Sequence, residues 1–137
     1  MNQLAGCIAE VACVGGISLV DIAVGGDQLT AMLVETPERA TYLRKGSKVR
    51  VLFKETEVSL AKGLSGRLSL RNRLASVVRK IDLGQLLAEV ELGYQESVLV
   101  SIITRRSVER MDLAVGDEVE ALIKANEVML GEWDDGI

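Results

Sequence analysis

The hydrophobic and polar positions fall into short apolar runs divided by glycine-containing turns, and the whole succession of runs occurs twice. Val20, Ile22 and Val24 alternate with Asp21 and Ala23, the mark of a strand with one buried face. In the second half Val90 and Leu92 alternate with Glu89 and Glu91 in the same way. Each copy opens with an apolar, β-rich run, residues 3–13 in the first, which Gly15-Gly16 turns back. Gly25-Gly26-Asp27 is a hairpin signal before the next strand, residues 28–33. Its counterpart, Gly93-Tyr94-Gln95-Glu96, is a weaker turn. A short helix is predicted next in both copies. In the first, Thr36 is the N-cap and Pro37 takes the first helical position, where no N–H is needed. In the second, Thr104 caps a helix through Arg105, Arg106, Ser107 and Val108. A fourth strand (118–123 in the second copy) and a last short one (57–60 and 127–130) complete each unit.

A shift of 70 residues overlays the chain on itself without a gap. Asn2 meets Asn72, Leu4 meets Leu74, Val20 meets Val90, Leu29 meets Leu99 and Leu43 meets Leu113. Gly46, Val49, Leu52 and Lys54 meet Gly116, Val119, Leu122 and Lys124, and Glu57-Val58 meets Glu127-Val128. An ungapped match with apolar positions in phase signals an internal duplication. The units expected are residues 1–62 and 67–132, followed by an acidic tail at 133–137. Five strands and a small helix per unit predict an all-β chain with short helices, folded as two tandem five-stranded β-barrels of the oligonucleotide/oligosaccharide-binding (OB) type. About 60 residues is marginal for an independent core. The two copies are therefore expected to lean on each other and on other subunits.

Composition narrows the function classes. Apolar residues make up 48% of the chain but aromatics only 3%, so Val, Leu, Ile and Ala must build the core. No apolar run has the length of a membrane span and no signal-peptide pattern opens the sequence, so a cytoplasmic protein away from membranes is expected. A net charge of −4 with few aromatics argues against nucleic-acid binding, which needs a basic face or stacking platforms. Much of the excess acid lies after Asp82, including Glu132, Asp134 and Asp135 in a tail expected to fray, or to pack Trp133 on a neighbouring subunit. Cys7 and Cys13 fall on one strand about 20 Å apart at roughly 3.3 Å per residue, beyond disulfide reach. They read as small buried apolar residues. With no histidine and two distant cysteines, a zinc site within one chain is not expected. Nor is an enzyme: no acid–base pair or activated nucleophile is legible.

The chemistry concentrates at Ser69-Leu70-Arg71-Asn72, between the loop at 61–66 and a strand. A hydroxyl, a guanidinium fork and an amide there all donate hydrogen bonds. A tetrahedral dianion needs such donors and positive charge, with carboxylates kept away. Arg71 offers a fork and Lys124 a mobile point charge. Ser69, Thr104 and Ser107 offer hydroxyls, and the backbone after Thr104 offers free N–H groups. Ala125 leaves its own N–H open to close approach. Taken singly, Thr104 and Ser107 read as a helix cap, Arg71 as a surface ion pair and Lys124 as a solvated charge. Their joint occurrence favours anion binding.

Ser69-Leu70-Arg71-Asn72, Ile102-Ile103-Thr104 with Ser107-Val108, and Leu122-Ile123-Lys124-Ala125-Asn126-Glu127-Val128-Met129-Leu130 together resemble the Mop family of molybdate-binding modules, the molbindin or TOBE type. That family's opening pattern is Ser-Ala-Arg-Asn, from which this chain departs only at Leu70. The resemblance covers residues 2–60 and 69–130 and is specific in the second copy. It implies a two-module molbindin that packs as a homotrimer and binds molybdate or tungstate between modules. Ser69, Arg71, Asn72, Thr104, Ser107, Lys124 and Ala125 would be the oxyanion ligands, with no residue acting as a direct cation ligand. Storage or buffering of the oxyanion is the function implied. The second reading is a regulatory or oligomerising module that senses molybdate through a protein partner in molybdenum uptake or homeostasis. The first copy keeps Asn2 and Lys54 as weaker counterparts. Val34 stands for Thr104, Pro37 for Ser107 and Glu55 for Ala125, so it is expected to have lost most of its share of such a site.

Overall fold

The computed structural model describes residues 1–133. The first repeat forms β1 (Asn2–Val14), β2 (Ile17–Val24), β3 (Asp27–Leu33), β4 (Lys48–Phe53) and β5 (Ser59–Ala61). The second forms β6 (Asn72–Leu83), β7 (Leu87–Tyr94), β8 (Ser97–Thr104), α1 (Arg105–Arg110), β9 (Glu118–Ile123) and β10 (Met129–Glu132). The alternation that predicts the strands also sets their faces: on β2 Ser18, Val20, Ile22 and Val24 are buried while Ile17, Leu19 and Ala23 are exposed. A continuous apolar cluster spans both repeats, with Ile8, Val20, Leu29 and Phe53 from one and Leu74, Val90, Leu99 and Ile123 from the other. Each such side chain contributes about 1.5–3 kcal/mol on full burial. Among the described residues no helix is long and apolar enough to cross a membrane.

The strands form two five-stranded antiparallel sheets, in the orders β10-β4-β1-β2-β3 and β5-β9-β6-β7-β8. The closing strand of each sheet thus comes from the other repeat. β10 pairs with β4, Met129 opposite Leu52, and β5 pairs with β9, Ser59 opposite Leu122. The first four strands of a repeat lack a partner on the β4 or β9 side, and the exchanged strand covers that edge. Duplication shows in the detail too. β1 carries an irregularity between Ile8 and Glu10, and β6 one between Val78 and Lys80. Into each fits a glycine: Gly46 N–H donates to the Ile8 carbonyl and Gly116 N–H to that of Val78, both at 2.8 Å. Their φ values of 94° and 96° lie where a side chain is strained.

Several expectations change. The helix expected after Thr36 does not form in the first repeat, where Arg39 and Ala40 N–H close a single turn onto the Thr36 carbonyl. In the second, the Thr104 hydroxyl accepts the Ser107 N–H at 3.0 Å to start α1. Val34 and Pro37 remove both the acceptor and the donor of that cap. The last strands begin two residues late, after single 3-10 turns at Glu55–Glu57 and Ala125–Glu127. Cys7 and Cys13 are both exposed. Cys7 takes an outward position of β1, whose inward residues are Asn2, Leu4, Gly6 and Ile8, and Cys13 sits near the hairpin end. The expected fraying does not reach Glu132 and Trp133. Glu132 pairs with Val49, and the Lys48 ammonium lies 3.9 Å from the Trp133 ring centroid within the same chain. The rest of the expected tail, 134–137, lies outside the described residues.

At the hairpin tips the weak turn of the second repeat is held by the first. Gln95 has φ 50°, and its amide donates to the Val24 carbonyl at 3.1 Å and to the Tyr94 hydroxyl at 3.0 Å. Tyr94, whose ring is buried, donates in turn to Asp27 at 2.7 Å. A Cβ on Gly25 would come within 2.4 Å of the Gln95 amide oxygen, so the glycine serves the neighbouring tip as well as its own turn.

Candidate functional site

Asn72 begins β6 and is fully buried. Its amide nitrogen donates to the Thr30 carbonyl at 3.0 Å and its oxygen accepts the Thr30 N–H at 2.7 Å. β3 is an edge strand, and the Asn72 amide supplies the rung that a further strand would make there. Asn2 does the same for edge strand β8, exchanging bonds of 2.8 Å each way with Val100. Thr30 and Val100 are themselves repeat-equivalent, so the two clamps are reciprocal about a local twofold. Asn2 and Asn72, expected as anion donors, are therefore committed to joining the repeats. Burial aims both amides at backbone.

The Asn72 clamp fixes the residues just before it against the edge of the first repeat. Ser69, Leu70 and Arg71 line one cavity of about 410 Å³ with Lys124, Ala125, Asn126 and Met32 of β3. Four of the expected residues, Ser69, Arg71, Lys124 and Ala125, are thus brought together from positions more than fifty residues apart. Lys124 follows β9 in extended backbone (φ −70°, ψ 143°) as the cap of the 3-10 turn, whose first residue, Ala125, lines the cavity beside it. Among the described residues neither Arg71 nor Lys124 takes part in an ion pair. Two unpaired cations and a hydroxyl facing one cavity suit an anion of double charge. The nearby carboxyl of Glu127 has its pKa raised, first by burial and then by the charge and hydrogen bond of Glu57, against the pull of Lys124. Leu70 and Asn126 line the cavity beside the expected residues, and Met32 is the lining residue that no motif pointed to. It belongs to the other repeat, and nothing in the spacing around it carries an anion-binding signal.

Thr104 lies elsewhere. It lines a second cavity, about 660 Å³, with Gln85, Leu86, Leu87, Arg105, Arg106 and Glu109. Its hydroxyl accepts the Ser107 N–H and donates to the Ser107 hydroxyl at 2.9 Å. Arg105 is paired with Glu109 at 3.0 Å, leaving Arg106 as the exposed cation of that mouth. Within one chain the expected donor set therefore divides into two groups. In the first repeat Lys54 has nearly the backbone of Lys124, with φ −75° and ψ 147°. Glu55, however, accepts an ion pair from the Met1 amino group, which holds its carboxyl below the ordinary range.

A TOBE domain model matches residues 68–130. The chain is 33% identical to the cytoplasmic molybdate-binding protein ModG, and superposes on its molybdate-bound crystal structure with a TM-score of 0.90 over 96% of each chain. It is 39% identical over 109 residues, 77% of its length, to the molybdenum-pterin-binding protein MopB of Rhodobacter capsulatus. Over 73 residues, 53% of its length, it is 47% identical to MopA of the same organism. These matches cover 40% of MopB and 28% of MopA, so the chain spans less than half the length of either relative. The tandem OB-like architecture expected from the repeats is shared with ModG over nearly the whole chain.

Proposed function

Because the chain belongs to the family of tandem TOBE-domain molybdate-binding proteins, we propose that it binds molybdate or tungstate reversibly and stores or buffers the oxyanion in the cytoplasm. The observation that carries this reading is the convergence of Ser69, Arg71, Lys124 and Ala125 on one cavity, with neither cation in an ion pair among the described residues. Arg71 presents a planar fork, Lys124 a point charge, Ser69 a hydroxyl and Ala125 an approachable backbone N–H. Asn72 acts as the positioning residue that fixes Arg71. No bond is made or broken; preorganised donors replace the water around the anion.

Thr104 and Ser107 complete such a site from a neighbouring subunit, so each chain carries two half-sites and binding requires assembly. A homotrimer is the assembly proposed. Apolar side chains exposed near the two mouths, Val34 at 86% and Leu86 at 81%, support burial against another copy. Bound anion then stabilises the oligomer by mass action. The first repeat contributes Met32 to the wall and little to the donor set.

Thermal denaturation with molybdate, tungstate, sulfate and phosphate tests this reading, with elemental analysis of the dialysed protein. A rise in midpoint with the first two anions is expected. No preference for them over sulfate would refute it.

A further inference from the structure

We propose that Glu55 is a tethered carboxylate that helps to keep the first-repeat counterpart of the anion site closed, beyond the donors that repeat has lost at the positions of Ser69, Arg71, Thr104 and Ser107. The inference rests on the reading that Lys124 and Ala125 border an oxyanion site. Its starting point is how closely the two backbones agree. Lys54 and Lys124 differ by about 5° in φ and 4° in ψ. Glu57 N–H closes onto the Lys54 carbonyl at 3.0 Å, and Glu127 N–H onto that of Lys124 at 2.9 Å. The next rung, Val58 to Glu55, is 3.4 Å against 3.3 Å for Val128 to Ala125. The turn at 55–57 packs against β8 as the turn at 125–127 packs against β3. Main chain and lysine are therefore retained, while the turn differs at two side chains: Thr56 stands for Asn126, and Glu55 sets a carboxylate where Ala125 has a methyl.

That carboxylate is already engaged. The repeat-equivalent of Arg71 is position 1, and the Met1 amino group there pairs with Glu55. The Glu55 carboxylate thus sits at the place where the second repeat leaves the Arg71 guanidinium without an ion pair among the described residues. A tethered group competes at an effective concentration on the order of millimolar for a short link. Unlike a solute, it cannot be diluted away. An incoming dianion would also face a like charge at the rim, which disfavours it further.

Equilibrium dialysis against molybdate, with metal analysis, tests the proposal on wild type, Glu55→Ala, Glu55→Gln and the double variant Glu55→Ala/Lys54→Ala, each checked for its fold by circular dichroism. Glu55→Ala and Glu55→Gln are expected to bind up to one further molybdate per chain, with at least tenfold higher affinity at the added site than wild type shows there. The double variant should lose the gain. The same stoichiometry in wild type and both single variants would overturn the proposal. A gain with Glu55→Ala alone would overturn the charge argument in favour of bulk. Wild type binding no molybdate would instead sink the reading of the second-repeat site, whatever the variants do.

Discussion

Replacing Asn72 tests whether the repeats are joined by side-chain rungs. Asn72→Ala removes both partners of Thr30, its N–H at 2.7 Å and its carbonyl at 3.0 Å. Thr30 is 8% exposed and Asn72 fully buried, so water reaches the orphaned groups poorly. Each desolvated backbone group left unpaired costs about 1–3 kcal/mol, giving about 2–5 kcal/mol after partial relaxation. That is a large share of the roughly 5–15 kcal/mol typical of a domain. Asn2→Ala breaks the equivalent clamp, but Val100 is only half-buried and solvent can replace the lost partner. The expected cost there is about 1–2 kcal/mol. Asn72→Asp should be worse than Ala at neutral pH, since it sets a carboxylate against the Thr30 carbonyl, and should partly recover on acidification. Urea denaturation followed by circular dichroism, at fixed protein concentration and without anion, measures all three. Equal costs for Asn2→Ala and Asn72→Ala, or a cost below about 1 kcal/mol for Asn72→Ala, would refute the reasoning.

Arg71→Ala and Lys124→Ala should each lower molybdate affinity by at least about tenfold, since hydrogen bonds to charged groups contribute about 1.5–3 kcal/mol; calorimetric titration reads this, and unchanged affinity in both contradicts the site. Glu127 has a raised pKa, so its charge opposes folding above the carboxylate range and has no such effect when the group is protonated in both states. Glu127→Gln should therefore raise the melting midpoint at pH 7–8, with the gain fading as pH falls through that range. Tyr94→Phe removes the bonds to Asp27 and from Gln95, at a cost of about 1–3 kcal/mol by urea denaturation. A segment covering 67–132 alone lacks the first repeat's β5 and leaves β10 without β4, so it should form dimers or higher oligomers by light scattering.

The duplication, the strand alternation, the glycine turns and the donor residues were all legible in the letters, because period-two burial and special backbone angles act over a few residues. The cap at Thr104 and its loss at Val34 and Pro37 are equally local, yet Thr36 and Pro37 predicted a helix in the first repeat that does not form. Contacts between the repeats lay beyond that range. Nothing near Asn72 says that its amide faces Thr30, nor near Met32 that it walls a cavity with Arg71, because the local twofold sets those distances. The exposure of Cys7 was likewise fixed by the register of β1, which packing of the whole sheet selects. The sequence by itself determined which side chains offer hydrogen-bond donors and positive charge, and that the strand pattern occurs twice. The tertiary structure alone decided which of them meet, since exchanging β5 and β10 brings side chains from distant positions to one seam and leaves Thr104 and Ser107 at another.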